Sequence, residues 1–173
     1  MIAYRRPLPD EAAAMASLHI ACWRECYVDI VPAALMEKST ASSRLPIWQE
    51  ALADPSRAVF AAYDGDTAVG FIIVGKSKEP NFDGEDGHIA AIYLRATHHR
   101  RGMGSRLIAM AARQWIDQGG HSLSLSVLTE NISARCFYEA LGARLVKLGT
   151  YQWDEFELPN AIYVFEDLSS LVA

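Results

Sequence analysis

The chain is short of cysteine, of surplus positive charge and of long apolar runs, and each shortage removes a class of function. Three cysteines in 173 residues, an odd count without the spacing of a secreted scaffold, argue against a disulfide framework and for a reducing compartment. Lys and Arg number 16 against 21 Asp and Glu, a formal charge of −5, so a general nucleic-acid surface with its clustered cations is excluded. No apolar run reaches the roughly 20 residues of a membrane span. Met1 to Arg6 runs straight into Pro7-Leu8-Pro9-Asp10 without the apolar stretch of a signal peptide. The expectation is a cytoplasmic protein with neither nucleic-acid nor membrane partner. Several catalytic signatures are missing too. No glycine loop leads into Gly-Lys-Ser/Thr, as a nucleotide-hydrolysing loop would. Gly102-x-Gly104 has Leu107 where a dinucleotide fingerprint needs a third glycine. No Gly-x-Ser-x-Gly elbow marks a serine hydrolase.

What is present fits one domain over residues 1–173, 51% apolar and 21% charged, long enough for a sizeable core. Ile2 to Arg5 reads as a strand, and Pro9-Asp10-Glu11 opens a helix to about Tyr27. More helix follows around Leu35 and from Ser39 to Ala53. Arg57 to Tyr63 and Thr67 to Val74, joined by Asp64-Gly65-Asp66, predict a hairpin. Lys76 to Gly87 reads as an acidic loop. His88 to Arg95 predicts a strand and Gly102 to Gln118 a helix stopped by Gly119-Gly120. Ser122 to Leu128 alternates as a strand with one buried face. Asn131 to Leu141 is helical. Ala143 to Tyr151 and Asn160 to Asp167 are two last strands around an acidic, aromatic connection, Tyr151 to Glu157. No repeat or linker interrupts this mixed α/β order.

The most informative stretch is Ile89-Ala90-Ala91-Ile92-Tyr93-Leu94 followed by His98-His99-Arg100-Arg101-Gly102-Met103-Gly104-Ser105-Arg106-Leu107. A strand enters a basic glycine turn that opens a helix, an arrangement that aims free N–H groups and the helix dipole at an anion. Glycine at 102 and 104 lets backbone approach phosphates, and Arg100 and Arg101 add charge-assisted contacts.

Ala91 to Gly104, with Ile92-Tyr93-Leu94 and the Arg101-Gly102-Met103-Gly104 turn, resembles the acyl-CoA-binding motif of the GNAT superfamily of N-acetyltransferases. Asn131-Ile132-Ser133-Ala134-Arg135-Cys136-Phe137-Tyr138-Glu139-Ala140-Leu141-Gly142 resembles that family's second CoA-contacting helix. Looser similarity over Trp23 to Pro32 and Phe156 to Asp167 extends the resemblance to nearly the whole chain. His99 departs from the Gln or Arg usual three residues before the first glycine, and Ala96 from a frequent proline.

The resemblance implies a central, twisted mixed sheet flanked by helices and splayed at the acyl-CoA site. It implies acetyl-CoA as acyl donor, no metal, and transfer to a primary amine of a small molecule or peptide; dimers are common in the family, which leaves a homodimer open without the sequence fixing the oligomeric state. The cofactor would meet Ile92, Tyr93, Leu94, His99, Arg100, Arg101, Gly102, Met103, Gly104, Ser105 and Asn131, with the carbonyl held by backbone N–H near Tyr93 and Leu94. Tyr138 matches the family's general acid. It shares a helix face with Asn131, and its reference pKa of about 10 suits protonating a thiolate. His88 stands where relatives carry a Glu base, with Glu85 in reserve.

Trp23 and Tyr27, at i and i+4, share a face that is either acceptor wall or core. Asp83, Glu85 and Asp86 in one loop and Asp154, Glu155 and Glu157 in another would attract a cationic amine, and equally fit solvated loops. His19, Cys22 and Cys26 could face together, but a fourth zinc ligand is not evident. Two other functions stay open: a silent acyl-CoA-binding sensor, and an acyltransferase with another acyl donor or a hydroxyl acceptor.

Overall fold

In the computed structural model, which describes residues 1–76 and 87–173, the alternating and helical patterns above become seven strands and six α-helices. In chain order these are β1 (Ile2–Arg5), α1 (Ala12–Tyr27), α2 (Ala33–Lys38), α3 (Ala41–Ala53), β2 (Ala58–Asp64), β3 (Thr67–Gly75), β4 (Gly87–Leu94), α4 (Met103–Asp117), β5 (Leu123–Leu128), α5 (Ile132–Ala140), β6 (Arg144–Trp153), β7 (Phe156–Phe165) and α6 (Ser169–Val172). The strands form one sheet in the order β1-β2-β3-β4-β5-β7-β6. Every neighbouring pair is antiparallel except β4 and β5, which run parallel.

The two-residue period of β3 distributes the core over both faces of the sheet. Ile72 and Val74 join Leu107, Ile108, Ala111 and Trp115 of α4 with Leu123 and Leu125 of β5. Phe71 and Ile73 instead meet Met15, Ala16 and Cys22 of α1 and Trp48 and Ala51 of α3. Each large side chain fully buried this way contributes about 1.5–3 kcal/mol, so helices on both sides hold the sheet.

Three expectations change on contact with the structure. The alternation of Ser122 to Leu128 places Ser124 on a solvent face, yet it is 1% exposed; its hydroxyl donates to the Gly87 carbonyl at 3.2 Å, which satisfies it inside a strand covered on both faces. The acidic, aromatic connection Tyr151 to Glu157 is mostly strand. Pairs Tyr151↔Leu158, Gln152↔Glu157 and Trp153↔Phe156 leave only Asp154 and Glu155 as the turn, and Asp154 takes the positive φ of 51° that tight hairpins need. Pro159 is tolerated within β7 because it lies beyond the end of β5, whose last pair is Leu128↔Asn160.

The third concerns Gly70-Phe71-Ile72-Ile73-Val74-Gly75-Lys76-Ser77, which does spell the letters of a nucleotide-hydrolysing loop. Gly70 to Gly75 lies within β3, paired with both β2 and β4. A backbone committed to two ladders cannot cradle a phosphate.

His19 is buried in the α1–α3 face, 7% exposed, with ring centres of Phe71 at 5.0 Å and Tyr93 at 5.4 Å. Its Nδ1 has no hydrogen-bond partner among the described residues. Burial, and secondarily the charge of Arg44, push its pKa down to about 3. The unfolded chain therefore binds a proton that the folded chain refuses between about pH 6.5 and 3, and stability falls as pH falls through that window. Two pKa units correspond to roughly 2.7 kcal/mol, so acid titration of the wild type is expected to lower the melting temperature, and His19→Leu to flatten that slope between pH 6.5 and 4.5. An unchanged slope would mean that other groups set the acid sensitivity.

Candidate functional site

Strand β4 makes the site because it loses one neighbour partway along. It stays with β3 from Gly75↔His88 to Gly70↔Leu94, with an irregularity that leaves Ala90 without a direct partner. Its parallel pairing with β5 consists of Gly87↔Leu123 and His88↔Ser124, while β5 stays with β7 as far as Leu128↔Asn160. Beyond His88 and Ser124 the two strands part.

Strand parity identifies the groups exposed by that parting. Arg95 N–H donates to the Val69 carbonyl at 2.9 Å, so the backbone of Arg95, Tyr93 and Ala91 is directed to β3, and that of Ile92 and Leu94 to the opening. The Leu94 carbonyl on that side lies 2.9 Å from His99 Nε2. The N–H groups of Ile92 and Leu94 therefore face the cleft, whereas Tyr93 offers its side chain there rather than its N–H.

The opening is a cleft of about 1090 Å³ between β4, β5, the turn before α4, the start of α5 and the end of α1. At one end, Arg100 and Gly102 both adopt left-handed backbone, with φ of 57° and 74°. Such a conformation costs a non-glycine residue about 1–3 kcal/mol. Gly102 is the N-cap of α4, and its carbonyl accepts the Arg106 N–H at 3.0 Å. The N–H groups of Met103, Gly104 and Ser105 precede the first such bond and lead the helix unpaired, so they and the dipole form an anion seat. Gly104 serves packing as well: a Cβ there would meet Phe137 Cζ at 3.0 Å and Leu94 Cδ1 at 3.5 Å.

The opposite wall is set by Asn131. Its Oδ1 accepts the Ala134 N–H at 3.2 Å, capping α5, and its Nδ2 donates to Cys26 Sγ at 3.2 Å, tying α5 to α1. Two turns on, Tyr138 lines the cleft at 8% exposure, and its hydroxyl has no hydrogen-bond partner among the described residues. Burial raises its pKa above the usual phenol range, which keeps the hydroxyl protonated and able to donate.

Ile92, Tyr93, Leu94, His99, Arg100, Gly102, Met103, Gly104, Ser105, Asn131, Tyr138 and Tyr27 all line this one cleft. Arg101 is exposed and outside the lining. Trp23, a candidate for the acceptor wall, is core: it is 2% exposed and packs on Tyr27 and Trp153 at 5.5 and 5.3 Å. His88 is also outside the lining, its Nδ1 2.9 Å from Ser124 Oγ, where β4 and β5 still pair. Four residues of strand, about 13 Å, separate it from Ile92. Asp83, Glu85 and Asp86 lie outside the described residues.

Asp154 and Glu155 are taken up by Lys38, whose Nζ is 4.0 and 3.2 Å from their carboxylates. Glu25 escapes the sequence reading altogether. It lines the cleft, pairs with Arg95 Nε at 2.7 Å and accepts the Ala96 N–H at 2.7 Å, fastening the turn to α1. No local pattern announces a contact across 70 positions of chain.

Residues 13–143 match the model of the acetyltransferase (GNAT) family. The uncharacterized N-acetyltransferase YuaI of Bacillus subtilis is 26% identical over 99% of this chain and 96% of its own length. The GCN5-related N-acetyltransferase structure from Rhodopseudomonas palustris superposes with a TM-score of 0.74 at 20% identity, covering 95% of this chain and 94% of that one. The yncA structure from Salmonella typhimurium, solved with its cofactor acetyl-CoA, gives 0.73 at 13% identity over 96% and 94%.

Proposed function

The chain belongs to the acetyltransferase (GNAT) family, and from that premise we propose that it transfers the acetyl group of acetyl-CoA to a primary amine of a small molecule or peptide in the cytoplasm. The observation that carries this reading is the juxtaposition, in one cleft, of unpaired β4 N–H groups with an uncapped helix start. The presence of acetyl-CoA in the yncA structure supports it.

When bound, acetyl-CoA supplies a thioester whose carbon forms a C–N bond with the amine as the C–S bond breaks. The N–H groups of Met103, Gly104 and Ser105, with Arg100, hold the pyrophosphate. Ile92 and Leu94 N–H stabilise the negative charge that grows on the thioester oxygen. Tyr138 gives its hydroxyl proton to the departing sulfur and regains one from solvent. The proton lost by the amine goes to water, or to His88 through a chain of waters, since His88 is too far along β4 for direct contact.

Thiol release from acetyl-CoA over a broad amine panel tests the reading. Cofactor binding without turnover of any amine would leave an acyl-CoA sensor; turnover of alcohols alone would move the acceptor class. His88→Ala is expected to lower turnover most below pH 7, where fewer amines are unprotonated. A pH–rate profile that does not change returns His88 to its structural bond with Ser124.

A further inference from the structure

Arg44 on α3 is half-buried, and among the described residues it alone of the half-buried arginines has neither a carboxylate nor a backbone carbonyl partner. Arg6 and Arg135 reach carbonyls; Arg57 and Arg95 reach carboxylates. Arg44 donates once, from Nη1 to Ser43 Oγ at 3.3 Å. Its guanidinium carbon lies 5.9 Å from the ring centre of Trp23 and 6.0 Å from that of Trp153. Trp23 in turn packs on Tyr27 at 5.5 Å, and Tyr27 is itself a wall of the acyl-transfer cleft. Stacking on indoles uses the faces of a guanidinium and leaves its in-plane N–H donors, apart from the one on Ser43, for a planar acceptor. A desolvated cation with most donors unused is costly unless a ligand completes it.

Three carboxylates of the surrounding elements are held by other cations and not by Arg44. Asp154 and Glu155 at the β6–β7 turn pair with Lys38, and Glu25 with Arg95.

We propose that Arg44 receives a carboxylate of the acceptor, so that the amines acetylated here are free amino acids. Trp153 and Tyr151, rings 5.8 Å apart, offer an apolar surface for the amino-acid side chain. This rests on the acetyl-transfer reading above and names its substrate class.

The test is thiol release from acetyl-CoA with each of the twenty amino acids beside its carboxamide, with spermidine and a short amidated peptide as further arms. The expected kcat/KM for the best amino acid exceeds that of its carboxamide by about 10–100-fold, the worth of a charge-assisted hydrogen bond. Arg44→Met, which keeps length and apolar packing, is expected to bring that ratio near one while the melting shift with acetyl-CoA persists, and Arg44→Lys to restore part of it. The proposal is overturned if carboxamide, spermidine or peptide serves as well as the amino acid in the wild type, or if Arg44→Met keeps the ratio. Should Arg44→Met fail to fold, the wild-type comparison decides alone. Absence of any acetyl-CoA melting shift in the wild type would sink the transferase reading itself, a separate result.

Discussion

Acetyl-CoA at about a hundred times its dissociation constant is expected to stabilise the native state by roughly 2.7 kcal/mol, a rise of about 5–10 °C in melting temperature for a chain of this size, and Gly104→Leu to abolish it. The substitution adds a side chain where the first carbon already meets Phe137 at 3.0 Å and Leu94 at 3.5 Å. Both neighbours pack beside the cleft, so the displaced atoms can only move into the space that pyrophosphate and pantetheine need. Gly102→Ala separates backbone strain from obstruction. It adds a carbon with nothing within 4 Å but at a φ of +74°, so it should lower the melting temperature of the free protein and keep most of the rise. NAD or ATP giving the rise instead of acetyl-CoA would defeat the assignment of the anion seat.

Turnover of Tyr138→Phe should fall by about 10²–10⁴-fold, the usual contribution of a positioned acid, with acetyl-CoA affinity nearly unchanged. The ring of Tyr138 packs on Phe137 at 5.4 Å and Tyr163 at 6.4 Å, contacts that phenylalanine retains. The hydroxyl is the one atom lost, and no described residue depends on it. A loss confined to kcat therefore belongs to the transition state. Weaker binding at full turnover would make Tyr138 a cofactor contact, and no change in either would make its hydroxyl incidental.

Much of this was legible from residue order, and the reasons for the rest differ. The turn from Arg100 to Ser105 and the cap at Asn131 are local devices, set by glycine, charge and short side chains within a few positions, so they could be read in line. The tip of the β6–β7 hairpin was not, because Tyr151 to Glu157 mixes aromatic and acidic residues that resemble a solvated connection as readily as an edge ladder. Trp23 and Tyr27 share a helix stripe, yet one is sealed beneath Trp153 and the other meets Tyr93. Spacing along a helix gives the face but not the depth. The letters from Gly70 to Ser77 show the converse, a motif spelled correctly whose first six residues, Gly70 to Gly75, fall in an apolar run that forms a strand. Arg44 and Glu25 owe their meaning to neighbours far away in the chain, Trp153 for one and Arg95 for the other.

The parallel contact between β4 and β5 spans two residue pairs, while each strand is laddered along its other side, β4 with one irregularity at Ala90. Mechanically the sheet is two stiff leaves, β1 to β4 and β5 to β7, joined along a seam that is stitched at one end and open at the other. A molecule lying along the open part does more than fill a hole, because it lends donors and acceptors to edges that would otherwise face water. The seam with the fewest backbone hydrogen bonds between paired strands is thus the place where a bound acyl donor would add the most.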